Sequence, residues 1–311
     1  SNVAVGYNAG TAITTGISNI LIGNAAGGAI TYGGGNIAIG KNAGGSLVGI
    51  NNQIAIGPEA LANANVLSGS CIAIGYRSLE ALTEATNNTA VGYDSGKSVT
   101  SGGNNVMLGN QAGTLITTGT HNIAIGPVAM DGFDTETFNI GIGNAALGGA
   151  VAGGEYNVAI GHYALDALTS ADYNVAIGYN AGTSLQGGGG QNTLVGYPAG
   201  ENLSDGQYNT MVGAQISTVT TGDNNCLIGR QAGTAASPVT VTTGDNVVCI
   251  GDSSISASHI QVDWTVASDK RDKTDVTDLP NSLDFINKLN PITYRWDKRI
   301  NYSEDKSITP D

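Results

Sequence analysis

The sequence predicts an all-β fold: a parallel β-roll, or β-solenoid, of about fifteen 17-residue coils, closed into a homotrimer and followed by a small α+β segment. Three observations predict it. First, a five-residue pattern, clearest in Asn36-Ile37-Ala38-Ile39-Gly40, recurs with its last glycine at Gly6, Gly23, Gly40, Gly57, Gly75, Gly92, Gly109, Gly126, Gly143, Gly161, Gly178, Gly196, Gly213, Gly229 and Gly251. Second, the spacing is 17 or 18 residues until the last two intervals, of 16 and 22. A fixed period with one apolar strand per unit marks a stacked array, which grows along one axis. Third, composition changes sharply at the last copy. All 47 glycines lie at or before Gly251, whereas 19 charged residues, Trp264 and Trp296 follow it.

Slots are numbered here from the glycine that ends each copy. Slots −3 and −1 are mostly Ile or Val, as in Ile37 and Ile39, and slot −2 is usually alanine, as in Ala38. Alternate residues of a strand face opposite ways. The branched pair is therefore expected to form the core, and the alanine face to pack closely around a symmetry axis. Slot −4 is asparagine in twelve copies, with Gln53, Cys71 and Val247 as the exceptions. Such a column is expected to form a ladder of bonded amides, as in stacked β-structures, or to bond its own turn.

The glycine, Gly40 in the reference copy, marks a bend where a residue without Cβ is favoured. A polar or aromatic residue follows, then Ala-Gly, or leucine in Leu61, Leu79, Leu147 and Leu165. A further apolar residue such as Ile13, Ile30 or Leu185 precedes a turn such as Thr14-Thr15-Gly16 or Gly187-Gly188-Gly189-Gly190. Each period thus reads strand, bend, short second strand, turn. The stacked coils make a rod on the order of 70 Å long. So much glycine excludes helix, at about 1 kcal/mol per residue relative to alanine.

Charge narrows the function. A net charge of −13, with only Lys41, Arg77, Lys97 and Arg230 across the repeat, excludes a nucleic-acid surface. No run of 18 apolar residues is present, so no membrane-inserted helix is expected. Cys71, Cys226 and Cys249 stand inside repeat strands, where a buried, small apolar role is expected. His121, His162 and His259 have no metal-ligand spacing, so neither metal nor cofactor is expected. Gly143-Asn144-Ala145-Ala146-Leu147-Gly148 lacks the order of a phosphate loop. Asp131, Asp134 and Glu136 form the tight acidic group of the array, read either as a glycosidase pair or as a solvated loop. The Thr-Thr-Gly turns raise an ice-binding surface as a rival, but they occur in a minority of coils. Ser1 enters in mid-pattern, so the chain reads as a piece of a longer protein.

The Asn-x-Ala-Ile-Gly copies resemble the head repeats of trimeric autotransporter adhesins and the longer repeats of phage tail fibres. That resemblance implies a trimeric roll. After the array, Ile260, Val262, Trp264 and Val266 alternate as in a neck strand. Leu283, Ile286 and Leu289 then share a helical face closed by Asn290-Pro291, before the alternating Ile292, Tyr294 and Trp296. Together with Ser268-Asp269-Lys270-Arg271-Asp272-Lys273, this stretch resembles the start of the intramolecular chaperone domain of endosialidase-type tailspikes, peptidase family S74. The resemblance implies a chaperone that trimerises the fibre and cuts itself off once, between Ser268 and Asp269, with Ser268 as nucleophile and Lys273 as base. The resulting organisation is a repeat region at 1–251, a neck at 252–267 and the N-terminal part of the chaperone at 268–311.

The function read from this is a structural trimeric fibre for attachment to a host cell surface, on a phage tail or tail-derived injection particle. The alternatives are a cell-surface or secreted bacterial adhesin, and a glycan-degrading tailspike whose enzyme domain lies in other sequence. Expected partners are two further copies of the chain, a host glycan or protein receptor, and tail or baseplate proteins. Tyr76, Tyr93, Tyr179 and Tyr197, each just after a strand glycine, are the candidate glycan contacts.

Overall fold

The computed structural model describes residues 1–64, 69–149 and 153–259. Fifteen three-residue strands, from β1 (Val3–Val5) and β2 (Ile20–Ile22) to β15 (Val248–Ile250), form one sheet in sequence order. Every pair is parallel and in register, so that Ala38 lies opposite Ala55 and Val158 opposite Val175. The array lies in a compact unit spanning Ser1–Ala257. The expected neck strand through Ile260–Val266, the helix over Leu283–Leu289 and the strand to Trp296 lie outside the described residues.

The two faces of the strand are the reverse of the expectation. Ala38, Ala55, Ala124 and Ala159 are fully buried inside the coil, while Ile37, Ile39 and their counterparts are half-buried or exposed. The reason is thickness. A coil of this length encloses a single layer of side chains, and the strand faces its own returning segment at close range. Only small residues fit there in most coils, so the branched pair turns outward. Cys226 follows the same rule: it stands at slot −3 and is half-buried, unlike the buried Cys71 and Cys249.

The interior is filled by complementary volumes. Leu61, Leu79, Met130, Leu147 and Leu165 occupy slot +4 in coils whose strand centre is Ala55, Ala73, Ala124, Gly141 and Ala159. Where Leu21, Met107, Leu194 or Leu227 holds the strand centre, slot +4 is Gly27, Gly113, Gly200 or Gly233. A Cβ on Gly113 would lie 3.0 Å from Met107 Cγ, and one on Gly141 would lie 2.8 Å from Met130 Cγ. The leucines and Met130 keep slot +4 at φ of 50–53°. That conformation costs roughly 1–2 kcal/mol, which burial of the side chain, worth about 1.5–3 kcal/mol, offsets.

The expected second strand is absent among the described residues. Slots +2 and +4 are left-handed, as in Asn42 (φ 58°) and Gly44 (φ 57°), so no extended run survives there. Coils still bond to each other at single residues. Gly27 N–H donates to Ala43 O at 2.9 Å, and Thr14 N–H to Thr31 O at 2.8 Å. The threonine hydroxyls serve the same purpose: those of Thr14, Thr31, Thr83 and Thr100 donate to carbonyls of the next coil. They are thus engaged in stacking, which argues against a free ice-binding grid.

The asparagine column forms a ladder in two stretches, mainly between amide and backbone. Asn122 Nδ2 donates to Glu136 O at 2.7 Å, and Asn122 Oδ1 accepts from Asn139 N–H at 3.0 Å. The same acceptor link joins each slot to the next from Asn2 to Cys71 and from Asn88 to Val247. Direct amide–amide bonds join only some pairs, such as Asn192 to Asn174 at 3.0 Å. Cys71 breaks the ladder: its thiol reaches Ala85 O at 3.8 Å but supplies no oxygen to the Asn88 N–H.

Two opposite outcomes follow from the ladder. Asn122→Ala orphans a buried N–H and a buried carbonyl, at about 1–3 kcal/mol each, and lowers the melting temperature measured by circular dichroism. Cys71→Asn supplies the missing acceptor and raises it, by roughly 1 kcal/mol of stability. An unchanged melting temperature in both variants would remove the ladder as a stabilising feature.

Candidate functional site

Two columns of outward branched side chains, at slots −3 and −1, run along the whole sheet. Ile20, Ile22, Ile177 and Ile228 on this stripe are 38–40% exposed. Charged side chains are absent from the fifteen strands; the polar interruptions are Thr89, Thr193 and Thr210, with Cys226 as a thiol. The stripe is therefore one continuous, nearly uncharged apolar surface. A column of aromatic residues borders it at either end of the strand.

The column after the strand contains the tyrosines predicted from sequence, in two groups. Tyr76 and Tyr93 stack with centroids 5.4 Å apart. The Arg77 guanidinium lies 4.8 Å from the Tyr76 centroid and is bidentate to Asp94, at 2.9 and 2.8 Å. Each ring of this pair thus covers one face of the other, with Arg77 beside Tyr76. Tyr179 and Tyr197 meet edge-to-face at 5.3 Å, with His162 5.7 Å from Tyr179.

The column before the strand was missed from the sequence. At slot −5, His121, Phe138, Tyr156 and Tyr173 stack almost parallel at successive centroid distances of 4.8, 5.1 and 5.0 Å. Each has φ between 57 and 60°, a left-handed conformation that suits the Asn52, Asn87 and Asn104 found at this slot elsewhere. The available signal was an aromatic residue at one slot of consecutive periods. Gln191 interrupts the aromatic column in the next coil, and Tyr208 holds the slot after it.

The acidic group does not act together. Glu136 is buried, its Oε2 accepting from the N–H groups of Asp134 and Thr135 and its Oε1 from Gly153 N–H. Asp134 accepts from the Thr117 hydroxyl. Asp131 couples instead with Asp166, which holds the same slot two coils away, with Gly148 between them. Burial raises both carboxyl pKa values, and the charge of Asp166 raises that of Asp131 further. The arrangement is a turn-capping carboxylate beside two carboxyls whose charged form burial disfavours. Ser268, Asp269 and Lys273 lie outside the described residues.

Residues 268–309 match the family model for the chaperone of endosialidase, Peptidase_S74. This segment follows the array after the stretch 252–267, and its family comprises an intramolecular chaperone domain that can self-cleave. No significant match to the chain was found among curated proteins or solved structures. A parallel β-solenoid joined to a chaperone-of-endosialidase segment fits a fibre or tailspike type of protein.

The Asp131–Asp166 pair predicts a pH-dependent stability. Each folded carboxyl holds its proton more tightly than the unfolded one, whose pKa is near 3.9. Their contribution is fully present below that value and is lost as pH rises through the raised folded value. Asp131→Asn is therefore expected to raise the melting temperature at pH 7 and leave it unchanged at pH 3. Equal shifts at both pH values would remove the electrostatic explanation.

Proposed function

We propose that this chain is the structural part of a trimeric fibre that attaches a phage tail, or a tail-derived particle, to a host cell surface. The observation that carries the reading is the outward Ile/Val stripe. Three-residue strands over a rod on the order of 70 Å give a face of roughly 700 Å². The largest apolar patch on a typical monomer is about 300–600 Å². A standard interface covers about 800 Å² on each partner. Two further copies of the chain, each presenting the same stripe, cover it around a three-fold axis. Branched side chains thus take the axial role that the alanines were expected to have.

The chaperone-of-endosialidase segment supplies the assembly step in this reading. Fifteen in-register strands offer many near-equivalent slips against a neighbour, and a registering C-terminal domain removes that ambiguity. It also supports the fibre over a secreted adhesin, and the virion tail or particle surface as its location. By likeness to its family, the segment then leaves by one self-cleavage between Ser268 and Asp269. Ser268 is the nucleophile and Lys273 its base.

Sedimentation equilibrium of the full chain is expected to give three times the chain mass, and Ile125→Asp with Ile142→Asp to dissociate it. A monomeric wild-type chain defeats the trimer. For cleavage, a denaturing gel is expected to show release of residues 269–311 from the wild type and one uncut band from Ser268→Ala. The same band pattern in both rules self-cleavage out.

A further inference from the structure

We infer that the turn surface between Tyr173 and Tyr208 is a binding notch for an uncharged saccharide ring. The notch has a volume of about 260 Å³ and is lined by side chains of three successive coils. This inference rests on the attachment reading and assigns it a ligand class and a place.

The notch originates in the sequence of its middle coil. Its neighbours carry Ser170-Ala171-Asp172-Tyr173 and Asp205-Gly206-Gln207-Tyr208 at the turn, whereas this coil carries Gly187-Gly188-Gly189-Gly190 before Gln191. Four successive residues without side chains leave a gap one coil wide in an otherwise regular surface. Its volume is below the range of about 300–1,000 Å³ for pockets that enclose a drug-sized ligand. An open site of that size suits one ring lying across the surface.

The walls supply the chemistry. Tyr173 and Tyr208 hold slot −5 two coils apart, about 10 Å. Both are exposed, at 54% and 52%. One face of Tyr173 lies against Tyr156; its other side is towards Gln191, where the aromatic column is interrupted. Among the described residues, the side-chain amides of Gln191 and Gln207 and the two tyrosine hydroxyls make no hydrogen bond within the chain. Asp172 uses Oδ1 to accept from Glu155 N–H at 2.8 Å, leaving Oδ2 as an acceptor. The set thus combines aromatic faces for the apolar side of a sugar with carboxamide donors and acceptors and a carboxylate acceptor for its hydroxyls. This division into an apolar body and a few placed polar groups is that of a small-ligand site.

Charge selects within the sugars. No Lys or Arg lines the notch, Asp172 does, and the chain carries a net charge of −13. A sialylated or sulfated sugar is repelled, while a neutral hexose or N-acetylhexosamine is not. None of the lining residues belongs to the outward stripe itself, and Tyr173 and Tyr208 stand in the column that borders it. Three copies per fibre would raise a weak single-site affinity through avidity. By contrast, the Tyr76–Tyr93 pair is bordered by Arg77, which is bidentate to Asp94, and has no gap of this kind beside it in the turn sequence.

The test applies the full chain to an array of oligosaccharides ending in neutral hexoses or N-acetylhexosamines, with sialylated counterparts. Sedimentation and binding to intact bacterial cells are measured on the same preparations. Wild type is expected to bind neutral spots in preference to sialylated ones. Tyr173→Ala and Tyr208→Ala are each expected to weaken binding roughly tenfold. Gly188→Gln, which fills the notch and leaves the tyrosines in place, is expected to do the same. Tyr76→Ala retains binding, and all variants keep the oligomeric mass and melting temperature of wild type. Wild-type binding by the Tyr173→Ala/Tyr208→Ala double variant overturns the notch, as does a preference for sialylated spots. A trimer that binds cells but no neutral glycan also overturns the notch and leaves the attachment reading standing. Loss of the trimer itself is read from the mass and counts against the fibre.

Discussion

Every slot of this coil stacks on its own copies at the inter-strand spacing of about 4.8 Å, and most of the structure follows from that repetition. A residue type succeeds at a slot only if it packs against a near-copy above and below. Asparagine succeeds inside because its amide donates to a turn carbonyl while its oxygen accepts the next strand's N–H. Glycine is required at the bend because backbone stacks there on backbone. Gly126 has φ +129°, and a Cβ on it would lie 2.5 Å from Gly143 O. Aromatic rings succeed at slot −5 because that spacing is close to a stacking distance. The complementary pairing of slots −2 and +4 is the same rule applied to volume, since a leucine in one coil needs a glycine or alanine beside it.

The period, the parallel in-register stacking and the interior asparagine ladder were legible because each is a property of one slot repeated. The orientation of the strand was not. Ile37, Ala38 and Ile39 give two faces, and size alone suggested the larger residues for the core. Deciding correctly requires the thickness of the coil, which is set by slots +3, +4 and +7 on the returning segment. Ala43 and Leu47 are buried against Ala38 in one core, and that pairing has no signature at the level of a single strand. The second strand was overcalled for a related reason. Apolar residues such as Ile30 mark burial, but left-handed residues at slots +2 and +4 interrupt the extended conformation. Slot +4 carries leucine or methionine in five coils, where the composition gives no hint of a positive φ.

The candidate site was legible only in part, and again slots explain why. Tyrosines after the strand glycine stand out because they adjoin the most regular motif. His121, Phe138, Tyr156 and Tyr173 belong to a slot held in the other coils by asparagine, serine or glycine, and once each by Gln191 and Tyr208, so no common residue type advertises it. The acidic group Asp131, Asp134 and Glu136, open in sequence to a joint site or a solvated loop, shows the opposite case. Its members are close in sequence, whereas the charge that acts on Asp131 is that of Asp166, across Gly148. In a solenoid the neighbour that matters is usually one period away.

The same rule accounts for where the ladder stops. In the last described coil the column at slot −4 changes residue type. Val247 holds that slot in the last coil, and its N–H still donates to Asn225 Oδ1 at 2.9 Å. The ladder is therefore closed on its incoming side and carries no unused amide on its outgoing side. The outward stripe has no such closure: Val248 and Ile250 continue it to the last strand, at 65% and 55% exposure. The polar ladder is satisfied within one chain, and the apolar stripe is left exposed. On the proposed trimer, that contrast separates what folds the coil from what assembles it. Residues facing inward are fixed by stacking, and the turns are left free to differ from coil to coil. Four consecutive glycines are tolerable at Gly187–Gly190 for that reason, since neither the ladder nor the stripe passes through them.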